Sequence, residues 1–145
     1  MKKAICNLLE ILRWAGIFVG IFLAKAANVD PVATFSILCF WVVVPLTGFT
    51  GLESLFFGKT AASQSGYSDS GPYQRQSGLN NLSVAITTIL AYLLNWGAYA
   101  KIAVMTAALI FFTLSAINHT YNLIIEGNKS FKNFLRPAGT ILLLI

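Results

Sequence analysis

The chain has 145 residues, of which 57% are apolar and only 10% charged, and its net charge is +5. With a mean hydropathy of +0.72 it has too little polar surface to coat a water-soluble domain of this size, which excludes a soluble globular protein and points to lipid. The surplus cations flank apolar stretches, where anionic headgroups of a lipid bilayer are the natural counter-charge, so no nucleic-acid partner is expected.

A helix crossing a hydrocarbon core of about 30 Å needs roughly 20 mostly apolar residues. Four stretches meet that length. The first, 8–26, lies in a run about twice as long as a signal-peptide core, with small residues only at its far end, and is read as an uncleaved span. Gly16, Gly20 and Ala24 recur at i, i+4 and i+8 on one face, a small-residue stripe that lets another helix approach closely, within one chain or between chains. Glu10 and Arg13, three apart, are spaced to pair. The second span, 32–57, is opened by Asp30-Pro31, a helix-start signature. Pro45 in its middle is expected to kink it, with the hydroxyls of Thr47 and Thr50 near the freed carbonyl.

Residues 59–78, rich in Ser, Gly, Gln and Tyr, read as a long polar cytoplasmic loop. The third span, 79–98, ends in an aromatic belt of Tyr92, Trp96 and, just beyond, Tyr99. A very short turn, Gly97 to Lys101, makes it the antiparallel neighbour of the fourth span, 102–125. The last apolar run, 135–145, is half a span, which can lie at the interface, tuck back into the bundle or end within the bilayer. The expected fold is therefore all-α: a single transmembrane domain over 1–145, an integral membrane four-helix bundle with a short C-terminal apolar helix.

The cations are sided. Lys2, Lys3, Arg13, Lys59, Arg75, Lys129, Lys132 and Arg136 fall at one end of these spans, and only Lys25 and Lys101 at the other. The positive-inside rule then predicts that both termini and the polar loop are cytoplasmic. This orientation collects Glu53, Gln74, Gln76, Asn80, Asn118 and His119 at one level as candidate ligand-binding residues. His119 is the only histidine. As an ionisable group in a span it is a candidate for proton handling or ligand contact; its structural alternative is an interhelical hydrogen bond worth about 0.6 kcal/mol. Glu53, paired with His119 or Arg75, would form a buried acid and base couple. No nucleophile elbow, phosphate loop, zinc-protease or haem-attachment motif is present, and Cys6 and Cys39 stand in no metal or C-x-x-C spacing. No catalytic residue, cofactor or metal is therefore assigned.

The segment Pro72-Tyr73-Gln74-Arg75-Gln76-Ser77-Gly78-Leu79-Asn80-Asn81-Leu82 resembles the P-[FY]-Q-x-E-x-G-x-x-N-L signature of a family of small bacterial inner-membrane proteins of unknown function. In that family the signature opens a membrane helix, and a histidine lies near the end of the next span, where His119 stands. The resemblance implies a bacterial inner-membrane location. The family's acid is replaced by Gln76, which argues against acid or base chemistry at this position. Leu12-Arg13 with Gly16, Gly20 and Lys25 resembles the first helix of DoxX-like four-helix membrane proteins. The expected role is a non-enzymatic membrane subunit or binding module, as a homo-oligomer or part of a membrane complex. The alternatives are a membrane-embedded enzyme or redox component, of DoxX-like or glutathione-dependent type, and a small channel or carrier.

Overall fold

The computed structural model describes residues 1–68 and 71–144. These form five helices, α1 (Lys2–Ala27), α2 (Pro31–Gln64), α3 (Gly71–Leu93), α4 (Ala98–Ile124) and α5 (Phe131–Leu144), with no strand among the described residues. The all-α class stands. Three helices, α1, α2 and α4, are long and apolar enough to cross a membrane. α3 does not join them, because Gln74, Arg75, Gln76, Asn80 and Asn81 fill its first half.

Local chemistry sets the helix ends. The Asp30 carboxylate accepts hydrogen bonds from the Val32 and Ala33 amides at 2.9 and 3.1 Å, with Pro31 in the first turn of α2. This is an N-cap followed by the one residue type whose missing N–H costs nothing there. The turn from α3 to α4 is residues 94–97, with Asn95 and Gly97 at φ 49° and 85°, so α4 begins four residues earlier than its apolar run suggests.

Residues 59–78 are not one loop. α2 continues through Lys59 to Gln64 and α3 starts at Gly71, which leaves a connection over 65–70, of which 69 and 70 lie outside the described residues. Polar composition concealed these helical turns because they extend past the apolar spans. The non-helical dihedrals inside α2 occur at Phe57 (φ −129°, ψ 18°), not at Pro45, where a kink is expected. Beyond Phe57 the last turns of α2 meet the start of α1, and Gln64 Nε2 donates to Asn7 Oδ1 at 3.1 Å.

α2 is the hub, packed against α1, α3 and α4, while α5 lies along α4. Glycines allow the close approaches. A Cβ on Gly16 would stand 2.5 Å from Pro45 Cγ, one on Gly20 would overlap the Trp41 side chain, and one on Gly51 would lie 2.9 Å from the Gly78 carbonyl oxygen of α3. The stripe Gly16, Gly20, Ala24 and the ring of Pro45 are therefore one intramolecular joint. Its packing is thus within the chain, one of the two arrangements its spacing allows.

Toward the end carrying the α1–α2 and α3–α4 turns, Cys39, Val43 and Ala108 form an apolar core, with Phe35, Val84, Val104 and Met105 against it. At that end Tyr92, expected as a belt anchor, turns inward: its hydroxyl donates to the Ser36 carbonyl, and Lys101 sits 4.3 Å over its ring. Trp96 and Tyr99 remain exposed, as belt residues should.

Replacing Gly20 with Ile forces overpacking against Trp41 and should lower stability by about 1–3 kcal/mol. Gly48→Ala, whose new Cβ meets only the Ala85 Cβ at 3.7 Å, should be tolerated. Thermal unfolding of both variants in detergent checks the α1–α2 joint, and equal behaviour of the two would reject it.

Candidate functional site

The other end of the molecule holds a buried ionic cluster. Glu53 of α2 is 1% exposed. Its Oε2 accepts from Arg13 Nη2 of α1, and its Oε1 accepts from Lys132 Nζ of α5 at 3.2 Å. Arg13 Nη1 also donates to Glu10 Oε2 at 2.8 Å, the i, i+3 pair its spacing predicts, and Lys132 Nζ lies 3.8 Å from the same oxygen. A carboxylate this deep is tolerable only if its oxygens are saturated by charged donors, and both are.

The lysine arrives because α5 is amphipathic in the sense that lipid requires. Lys132, Asn133, Gly139 and Thr140 are buried, whereas Phe131, Phe134, Ile141, Leu142 and Leu144 are exposed. Positions 132, 136 and 140 share a face by their four-residue spacing. Gly139 lets the Trp14 ring of α1 lie against α5, where any Cβ would overlap it. The half-span of the sequence thus tucks back, starting at Phe131 rather than Leu135, with its polar face inward.

Next to this cluster lies a second hydrogen-bonded network, centred on the neutral ring of His119. Asn133, 0% exposed, donates through Nδ2 to the Asn128 carbonyl at 2.9 Å, which aims its Oδ1 at His119 Nδ1, 2.7 Å away. Arg136 Nη1 is 2.9 Å from His119 Nε2. A guanidinium can only donate, so Nε2 carries no proton, Nδ1 carries one, and the imidazole is neutral. The Tyr67 hydroxyl donates to the same Asn133 oxygen at 3.2 Å. Burial pushes the Tyr67 phenol above its usual range, which keeps that donor protonated. Asn128 latches the two loops here, donating to the Ser65 and Gly66 carbonyls at 2.9 and 3.1 Å, while Ser130 Oγ donates to Ser65 at 2.9 Å.

Between these two networks is a cavity of about 150 Å³. Arg13, Glu53, Tyr67, Asn81 and Arg136 form its polar wall, and Trp14, Leu46, Phe111 and Phe112 its apolar wall. Two wall residues carry a buried polar atom without a hydrogen-bond partner: Arg13 at Nε and Asn81 at Oδ1. Buried polar groups are almost always satisfied, so two such atoms on one cavity wall call for a partner, a water or a solute. Among the described residues no three of His, Cys, Asp and Glu converge as metal ligands would.

Of the candidate residues, Glu53, Gln74 and His119 reach this region, Gln74 on the cavity wall. Gln76, Asn80 and Asn118 are exposed and take no part. The face of α3 that turns inward carries Gln74, Gly78, Asn81, Ala85 and Thr88, not the Gln76 and Asn80 face. Glu53 pairs with neither His119 nor Arg75: α5 delivers Lys132 to the carboxylate and Arg136 to the imidazole, and Arg75 is exposed. The sequence reading missed Tyr67, Lys132, Asn133 and Arg136 as site residues. The visible signal was cations at 132 and 136 with Thr140 at the next four-residue step, on a helix otherwise apolar.

Residues 5–145 match the model of the family described as Family of unknown function (DUF6790), and the chain belongs to that family. The match covers nearly the whole chain. Comparisons with curated proteins and with solved structures give no match.

Glu53→Gln leaves the buried Arg13 and Lys132 with Glu10 as their one remaining carboxylate among the described residues and should cost about 3–5 kcal/mol. Replacing all three by apolar residues of similar volume, Arg13→Met with Glu53→Leu and Lys132→Met, should cost less than the single change. Unfolding midpoints of the two proteins in the same detergent decide the matter. A triple variant less stable than the single one would show that the ions are not held chiefly by one another.

Proposed function

For this member of a family of unknown function we propose a membrane-embedded, non-enzymatic binding module, whose ligand sits in the cavity between α1, α2, α3, α4 and α5. The observation that carries this reading is the pair of unpartnered polar atoms, Arg13 Nε and Asn81 Oδ1, on residues 3% and 1% exposed that line one cavity. The enzyme alternative has less support. Both Glu53 oxygens are taken by cations and both His119 nitrogens by hydrogen bonds, so neither is free to move a proton. The carrier alternative has less support too, since a path through the protein would have to cross the apolar core around Cys39, Val43 and Ala108.

In this reading α3 crosses the bacterial inner membrane beside the other long helices, and the cavity end faces the cytoplasm. The support is the surplus of cations near that end and the inverted polarity of α5, which presents its apolar residues outward.

Two measurements test the proposal. A panel of small polar compounds is screened by melting temperature of the purified chain. At least one should raise it saturably in the wild type and not in Ser115→Leu, which fills the cavity from α4; a flat panel, or a shift indifferent to that substitution, rejects the binding module. For orientation, Trp96→Cys and Lys129→Cys are placed in a chain carrying Cys6→Ala and Cys39→Ala. In intact cells a membrane-impermeant maleimide should label position 96 and spare 129, and the reverse pattern rejects the cytoplasmic assignment.

A further inference from the structure

We infer that the ligand of this cavity is a small monocarboxylate, an inference that rests on the binding-module reading and narrows it. The charges around the cavity do not cancel. Arg13 and Arg136 on the cavity wall, with Lys132, which does not line it but is paired with Glu53, supply three positive charges, and Glu10 and Glu53 two negative ones. His119 adds none, because its Nε2 accepts from Arg136. Among the described residues no carboxylate stands within ion-pair distance of Arg136, whose partner is a neutral ring. An arginine in a protein cannot shed its proton, so the surplus charge persists until an anion meets it.

The surplus is one charge, which fits a monoanion rather than a phosphate dianion. The donors fit a carboxylate: Arg13 Nε is unpartnered, and Arg136 commits only Nη1 to His119. Planar guanidinium N–H groups match the two oxygens of a carboxylate in distance and plane. The space excludes a bare halide as the full occupant, since a cavity of about 150 Å³ accommodates a benzene-sized molecule. Trp14, Phe111 and Phe112 suit a compact apolar body on that molecule. A hydroxyl on it would serve Asn81 Oδ1, the one buried unpartnered acceptor on the cavity wall among the described residues.

His119 is a positioning residue here. Its bare nitrogen holds the Arg136 guanidinium, and Asn133 and Tyr67 hold the ring.

The experiment uses the full-length protein in detergent at neutral pH and matched ionic strength, with acetate, lactate and benzoate, the corresponding amides, and inorganic phosphate as probes. At least one carboxylate should raise the melting temperature saturably and bind more tightly than its amide. Arg136→Gln should weaken it about tenfold or more, as loss of a charged hydrogen bond implies. If Arg136→Gln does not fold, Arg136→Lys keeps the charge and loses the planar fork; it should bind more weakly yet still prefer carboxylate over amide. An amide that matches its carboxylate overturns the charge selection, and phosphate binding above every carboxylate overturns the monoanion, while either result leaves the binding module standing. If no probe shifts the wild type, the carboxylate assignment falls. If neutral polar compounds also fail, the binding module falls with it.

Discussion

The carboxylate of Glu53 is the point on which this molecule turns. It draws a guanidinium from α1 and an ammonium from α5 to one atom pair on α2, and thereby joins three helices that share little other polar contact. Ion pairs at a protein surface are worth little, because water competes and side chains must be held still. Here the helices exclude water, and removing any member leaves its partners stranded, so the cluster selects one arrangement of helices over others that bury the same apolar area. The glycine joint between α1 and α2 makes that cluster possible, because it brings the two backbones close enough for Arg13 to reach Glu53.

The sequence shows the coarse architecture clearly and the site partly. Apolar length found α1, α2 and α4, and the Asp30-Pro31 start and the short α3–α4 turn fixed their joints. Sided charges and alternating helix directions gathered the right end of the molecule. What stayed hidden is tertiary. Lys132 and Arg136 have the appearance of ordinary flanking cations, and their four-residue spacing with Thr140 marks a polar face without saying which partners it meets. On α3 the neighbouring amides Asn80 and Asn81 differ by one step of the helix wheel, and only Asn81 turns to the interior. The helical turns on either side of residues 65–70 were hidden by polar residues, which mark solvent contact and not the absence of a helix.

The two halves of the bundle differ in kind. One is packed with small and branched apolar side chains, and the other holds charges, amides and space. A cavity closed at one depth by a dry core can keep what enters it, and the neutral imidazole of His119 preserves the imbalance that would attract an anion. Were that ring protonated, it could no longer accept from Arg136, and two positive groups would face each other across 2.9 Å.

The inverted polarity of α5 also bears on assembly. A helix that carries Lys132, Asn133 and Arg136 on one side cannot rest in hydrocarbon alone. Its docking surface exists only once α1 and α2 have brought Glu10, Glu53 and Trp14 together, and α4 has supplied His119. α5 therefore has a buried seat only when the other helices are in place, and the cavity is without its α5 wall until then.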